Sequence, residues 1–397
     1  MNPILAIDVS KSKSVAAIFI KHNHCSVQPF PFNHSATELD NLAQLLYTLE
    51  THYSVKPKVV MEATGNYSKL LTSFFQQHDF QTFVLNPLIT SQIKSKSVRK
   101  VKTDPVDVKR IAHAFYTQEF TPFEPDDDLY VSLRALARHY DGLNSVHQET
   151  LLRFHSHIDL IYPNFNKMFS TLRSKCALNF LMAFPDPKLV LTASITDVAD
   201  ALVTTNRTYE WQLHKATIIK QAVEESLNIQ KAPQSIVTYY VNLISYMQET
   251  LTDIRTQMND IAKLSSQYKL LRSIPGIGEV TAATILSEIG SIDRFHSKKQ
   301  LVAYAGLDPT VFQSGKFIST NNKISKRGSP YLRKALYQAA CAAISKRSNG
   351  YANPDMRAFY EKLLLAGKPS KVALTACSAK QLRIIFGVLK SSNEFRL

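Results

Sequence analysis

The sequence predicts an α/β domain at the N-terminus followed by a long, mainly helical remainder. Three observations predict it. Over the first third, short apolar runs alternate with amphipathic ones. Two long stretches in the middle carry apolar residues at heptad-like spacing. The last third is a series of helical segments divided by Gly- and Pro-containing turns. A chain of 397 residues has room for two or three domains of roughly 100–200 residues. The changes of pattern divide it into 1–125, 126–265 and 266–397.

The first strand is ILAIDV (Ile4–Val9), turned by SKSK into VAAIFI (Val15–Ile20). CSVQPF (Cys25–Phe30) reads as a third strand. In ELDNLAQLLYTLE, the residues Leu39, Leu42, Leu45, Leu46 and Leu49 make one helical stripe. KVVMEA (Lys58–Ala63) returns to strand, YSKLLTSFFQQ to helix and QTFVLN (Gln81–Asn86) to strand; further helical segments start at Pro87 and Pro105. The order β-β-β-α-β-α-β-α implies three antiparallel strands continued by βα units, a mixed sheet covered by helices. This is the element order of the ribonuclease H-like fold, in which strand one is central, strand four lies beside it and the final helix packs across both.

In the middle region Leu133, Leu136, Tyr140, Leu143, His147, Thr150 and Phe154 form one seam. Tyr240, Leu243, Met247, Leu251, Ile254, Met258 and Ile261 form another. The two either pair as an antiparallel hairpin, pair between protomers, or serve as ordinary bundle core. FPDPK and the SITD at Ser194 mark short capped helices, and Trp211 reads as core. The last third opens with LLRSIPGIGEVTAATILSEIG (Leu270–Gly290), helix, turn and helix. A polar run follows, then a helix with Pro330 at its first position and two more helices, the last over Lys371–Lys390.

Composition narrows the class. No apolar run approaches the ~18 residues of a membrane span, and Asp8 interrupts the only apolar run at the N-terminus, unlike a secretory signal. Cys25, Cys176, Cys341 and Cys377 are scattered, which points to a reduced, cytoplasmic protein without a zinc site. The net charge is +15. Residues 1–125 hold 13 Lys/Arg and 10 Asp/Glu, whereas Ser266–Leu397 holds 21 and 7. A positive field concentrated in the last third favours a polyanionic partner through counterion release; a solvated basic surface is the plain alternative.

The carboxylates of the first third carry the sharpest signal. Asp8 lies inside an apolar strand, where a charge is costly unless paired or ligated. Glu62 ends the fourth strand, and Asp104 and Asp107 open the last helix of the unit. Asp104-Pro105-Val106-Asp107 is also a well-formed helix start, with Asp104 as N-cap, worth about 1 kcal/mol. In the predicted sheet all four converge, and their mutual repulsion would be relieved by Mg²⁺ or Mn²⁺, which favour oxygen donors. Asp107 is the expected inward ligand. Arg99, Lys100, Lys102, Lys109 and Arg110 flank the pair as candidate phosphate contacts.

Two further motifs lie in the last third. SIPGIGEVTA reads either as a helix-hairpin-helix, whose Gly276 and Gly278 let backbone approach a phosphate, or as a tight turn packed inside the domain. FQSGKFISTNNKISKRGSPYLRK places Ser314 in a loop with Lys316, Lys323, Lys326, Arg327, Arg333 and Lys334 close behind. A serine so placed can attack a phosphodiester while the cations stabilise the developing charge; Ser319 and Ser325 lie nearby.

Taken together, AIDVSKS, VMEATGNY, KTDPVDVKRIA, SIPGIGEVTAATILSEIG, AYAGLDPTVFQSGK and KISKRGSPYLRKAL resemble the DEDD transposases of bacterial insertion sequences, relatives of the Piv-type invertases. The resemblance covers residues 1–120 and 266–350. It implies a RuvC-like domain with metal ligands at Asp8, Glu62, Asp104 and Asp107, and a C-terminal transposase domain with Ser314 as nucleophile. It further implies donor and target DNA as substrates, a phosphoserine intermediate, a homodimer or homotetramer, and in some members a structured bridge RNA that pairs with both DNAs. A RuvC-like endonuclease that cuts with metal-activated water is the runner-up. An actin-like ATPase fits less well, because AIDVSKS lacks a glycine after the aspartate and no second Gly-rich loop follows. A purely architectural DNA-binding protein leaves Asp8 and Glu62 without a purpose.

Overall fold

The computed structural model describes residues 2–65, 67–87, 89–91, 104–124, 127–204, 206–226, 233–310, 313–314, 317–318, 323–348 and 350–396. The side chains of Asp104, Gln234 and the residues of 313–314 and 317–318 are not among those described. Contacts divide the chain into two units, Met1–Pro125 and Asp126–Leu397.

Unit 1 is built on a five-stranded sheet in the order β3-β2-β1-β4-β5, with β1 Ile4–Asp8, β2 Lys13–Lys21, β3 His24–Asn33, β4 Lys58–Glu62 and β5 Thr82–Leu85. β1 pairs antiparallel with β2 and parallel with β4, and β4 pairs parallel with β5. Near-continuous apolar runs explain why β1 and β4 take the centre, since a central strand is buried on both faces. β3 carries Pro29 and Pro31, which cannot donate to a ladder on both sides, and it occupies the edge. Helices α1 (Ala36–Tyr53) and α2 (Tyr67–Gln77) cover one face, over Leu5, Ile7, Val59 and Met61. Ser35 caps α1 by accepting from the Glu38 N–H. Helix α3 (Asp104–Thr117) covers the other face, where Val108, Ile111 and Ala114 meet Ile4, Ala6 and Val60. Strand order and layering are those of the ribonuclease H-like fold.

Unit 2 is helical. The two seams lie on α4 (Asp128–Ile161) and, further along, on the helix Gln234–Lys263. They pack within one chain and run antiparallel. Leu133 near the start of α4 shares a core with Met258 and Ala262, and Phe154 near its end stacks on Tyr240 with ring centroids 4.9 Å apart. Between them come α5 (Phe165–Met168), α6 (Lys175–Ala183), α7 (Pro187–Thr192), α8 (Ile195–Asp200) and α9 (Tyr209–Glu224), which close a core of their own around Tyr162 and Phe180. The SITD start is a full capping box: Ser194 accepts from the Asp197 N–H and Asp197 from the Ser194 N–H. Trp211 is half-buried against this core, with Arg207 4.8 Å above its ring.

The helix Gln234–Lys263 is α10. After it come α11 (Ser266–Arg272), α12 (Glu279–Ile289), α13 (Lys298–Tyr304), α14 (Pro330–Ala343), α15 (Pro354–Leu365) and α16 (Ser370–Ser391). Leu133 and Ile254 share one core with Ile285, Leu336 and Leu382. The expected break at residue 265 therefore does not separate two cores. Among the described residues one helix, α16, is long and apolar enough by composition to cross a membrane, contrary to the sequence expectation. Its Ala373, Cys377, Leu382 and Ile385 are all completely buried in cores of unit 2, so the apolarity belongs to packing.

Candidate active site

In unit 1 the acidic residues gather at one end of one face. Asp8 pairs across the ladder with Val15, and Glu62 with Leu85. Val15 and Leu85 both belong to the layer beneath α3. Paired residues share a face, so Asp8 and Glu62 also project towards α3. They are neighbours, because the parallel register pairs Ile7 with Met61 one residue earlier. Asp107 precedes Ile111 by one turn and continues the inward stripe of α3. Asp8, Glu62 and Asp107 are all half-buried.

Each described carboxylate has a partner. Thr90, buried just after β5, donates its hydroxyl to Glu62 Oε2 at 2.7 Å. Asp107 accepts from Arg110 Nη1 at 2.5 Å, and the Arg110 side chain is only 11% exposed. Asp8 is also engaged in an interaction. Among the described residues no three His, Cys, Asp or Glu side chains are gathered closely enough to hold a metal ion. The Asp104 side chain, Arg99, Lys100 and Lys102 lie outside the described residues. The acidic side chains on this face are hard oxygen donors without Cys or His, of the kind that divalent cations take. Of the basic candidates beside it, Lys109 is exposed. Arg110 is buried against Asp107 instead of facing solvent, so its charge serves that pair.

In unit 2 the loop bearing Ser314 rises from a short two-stranded stem. Thr310 N–H donates to the Lys323 carbonyl (2.8 Å), Ser325 N–H to Asp308 (2.8 Å) and Lys326 N–H to Gly306 (3.0 Å). Beyond the stem, Gln313–Ser314 and Phe317–Ile318 pair as a hairpin, with Ser314 opposite Phe317. Lys316 and Ser319 lie outside the described residues. Ser325 donates its hydroxyl to Asp308 Oδ1 at 2.5 Å, which ties the AGLDP and KISKRG motifs together and occupies this serine.

Several basic candidates turn out to build the unit. Arg333 donates to the Ala305 and Gly328 carbonyls at 3.0 and 2.7 Å, and burial lowers its pKa. It clamps the stem and is not offered to a phosphate. Lys334 pairs with Asp141. Lys323, Lys326 and Arg327 are exposed. Gly276 has φ +92°, and a Cβ there would sit 2.6 Å from the Ala339 carbonyl oxygen. The PGIG turn therefore needs that glycine so that α14 can pass, which is the packed-turn reading. Gly278, the N-cap of α12, is open: a Cβ there meets only Arg272 Nη1 at 4.0 Å. Sequence reasoning missed Thr90 and Asp308. Neither has a local signal, since each is defined by a contact with a residue 28 or 17 positions away.

Residues 5–163 match a family model of DEDD transposases of the IS110 type, described as a transposase. Residues 268–361 match the transposase IS116/IS110/IS902 family. The chain is 24% identical over 398 residues to the pilin gene-inverting protein of Moraxella bovis, covering 98% of this chain and 97% of that one. It is 30% identical over 162 residues to the transposase for insertion sequence element IS1111A of Coxiella burnetii, covering 40% and 42%. Among solved structures, T. thermophilus RuvC in complex with Holliday junction substrate aligns with 31% of this chain and 100% of that one, at a TM-score of 0.23 and 8% identity.

Proposed function

We propose that the chain is a transposase of the kind its two matched regions resemble, and that it cuts and rejoins DNA at the ends of a bacterial insertion sequence with a metal-dependent carboxylate site and a serine nucleophile. The observation that carries the reading is the placement of Asp8 and Glu62 side by side on the α3 face, with Asp107 on the inward stripe of that helix.

In this reading Asp8, Glu62, Asp104 and Asp107 hold Mg²⁺ or Mn²⁺. The bound ion supplies charge stabilisation at the scissile phosphate. Arg110 holds Asp107 through Oδ1, and Oδ2 is the oxygen for a metal ion. Thr90 keeps the Glu62 carboxylate in one orientation. Ser314 Oγ bonds to phosphorus as the bond to one deoxyribose oxygen breaks. That oxygen leaves with a proton, and attack by a hydroxyl of the incoming strand restores the serine. Exchange between two duplexes needs several coordinated breaks, so a homodimer or homotetramer is the working unit. The basic last third suits backbone contacts to DNA and to a structured bridge RNA that selects donor and target by pairing.

The test is a recombination assay on plasmids carrying element ends and target. Asp8→Asn is expected to lower Mg²⁺-dependent recombination by about a hundredfold or more while leaving the circular dichroism spectrum and DNA binding intact. Undiminished Mg²⁺-dependent recombination by the folded variant would remove the carboxylate site from the reading.

A further inference from the structure

We propose that the β-hairpin between α14 and α15 is a nucleic-acid contact that seats DNA on unit 2. The inference rests on the reading above, since it presumes DNA as substrate. The hairpin pairs Lys346 with Tyr351 and Arg347 with Gly350. Its base is fixed on both sides. Ala352 N–H donates to the Ser345 carbonyl at 3.0 Å, and Asn353 N–H to the Ala343 carbonyl at 2.8 Å. Asn353 is 2% exposed and caps α15 by accepting from the Met356 N–H. The base of the ribbon is therefore tied to the end of α14 and the start of α15.

Its chemistry suits a polyanion. Lys346 and Arg347 are exposed, and neither is in an ion pair among the described residues. Tyr351 is 40% exposed, with the Arg357 guanidinium 4.9 Å over its ring. Arg357 is in turn bonded to Glu361 at 2.6 Å, which fixes the stack. A cation pair beside a braced aromatic face is the pattern that holds a nucleic-acid backbone and stacks on a base or sugar. Gly350 has φ +111°, and a Cβ there would meet no atom within 4 Å. This glycine is thus required by its backbone conformation and not by packing. The surrounding sequence has the same sign: from Ile344 to Arg383 eight Lys/Arg stand against Asp355 and Glu361.

The full chain is titrated with a fluorescent DNA duplex at several salt concentrations, and anisotropy is read. Replacing Lys346 and Arg347 together by Ala is expected to weaken binding roughly tenfold or more at low salt, and to reduce the slope of log K against log salt by about 2, one per phosphate contact. The charge-conserving pair Lys346→Arg and Arg347→Lys should restore the slope. Tyr351→Ala should weaken binding with the slope unchanged. An unaltered slope in a folded Lys346/Arg347 double variant overturns the inference, as does a loss confined to RNA duplexes. If the wild-type chain fails to bind DNA at all, the functional reading falls first. If it binds and the double variant binds equally well, only the hairpin assignment falls.

Discussion

Thr90 illustrates what a single residue adds that sequence spacing does not reveal. Its hydroxyl fixes Glu62 Oε2 at 2.7 Å, and the residue is 7% exposed, so the bond is shielded from water. A carboxylate that loses such a partner must be oriented by the metal alone. Outer partners of this kind typically carry about 10–100-fold in metal affinity. Thr90→Val keeps the shape and removes the donor. It should raise the Mg²⁺ concentration needed for half-maximal recombination by about tenfold, with the maximal rate at saturating Mg²⁺ nearly kept. An unchanged Mg²⁺ requirement would show that Glu62 needs no orienting donor. The same scale explains why the candidate site was only partly legible. Asp8 and Glu62 stand out because an acidic residue inside or at the end of an apolar strand is chemically conspicuous, and Asp107 because it opens a helix beside Asp104. Arg110 and Arg333 pass for phosphate contacts in the sequence because charge alone cannot tell a solvent-facing arginine from one bonded to Asp107 or to the Ala305 carbonyl. The Ala305 bond joins segments 28 residues apart, and the Asp107 pair, although local to α3, is shielded only because that face of the helix packs on the sheet.

Elements were more legible than their partnerships. The strands, and the helices with a strong apolar stripe or a cap, follow from local periodicity. Whether the α4 and α10 seams met within a chain could not follow, because identical seams satisfy either pairing. The answer lies in α5–α9, which join the end of α4 to the start of α10 and bury their own core around Tyr162. The cost of that arrangement shows at His147, a seam position 5% exposed. Neither ring nitrogen has a hydrogen-bond partner among the described residues. Burial first, and the Arg173 charge second, lower its pKa. The unfolded chain then binds the proton more tightly than the folded one. Stability is complete above the ordinary histidine value of about 6.5 and is lost as pH falls through the lower folded value. His147→Leu removes both the titration and the buried unsatisfied nitrogens. It should stabilise the protein by about 1 kcal/mol near pH 7 and flatten the decline of melting temperature below pH 6.5. A variant that melts lower than wild type at pH 5 would show that the imidazole is held by a partner.

At the scale of the whole molecule, the chemistry and the charge lie on different parts of the chain. Three of the four acidic candidates are described on one face of unit 1, a unit with 13 basic and 10 acidic residues. Most of the net charge of +15 lies beyond Ser266, as does Ser314 on its stem. Such a division suits a protein in which one unit positions metal and the other grips nucleic acid and presents a nucleophile. It also makes the two roles separable by experiment. Ser314→Ala deletes the proposed attacking atom without altering charge, so the DNA affinity and its salt dependence should stay at the wild-type value. Recombination should be lost, and with it any covalent protein–DNA adduct trapped by denaturation. Asp8→Asn should also lose recombination, yet it retains the attachment atom. Ser314 is singled out from Ser325, whose hydroxyl is already given to Asp308; Ser325→Ala should lower thermal stability and leave adduct chemistry in place. Strand cleavage that persists in Ser314→Ala without an adduct would mean that metal-activated water is the nucleophile, and the C-terminal unit would then serve binding alone.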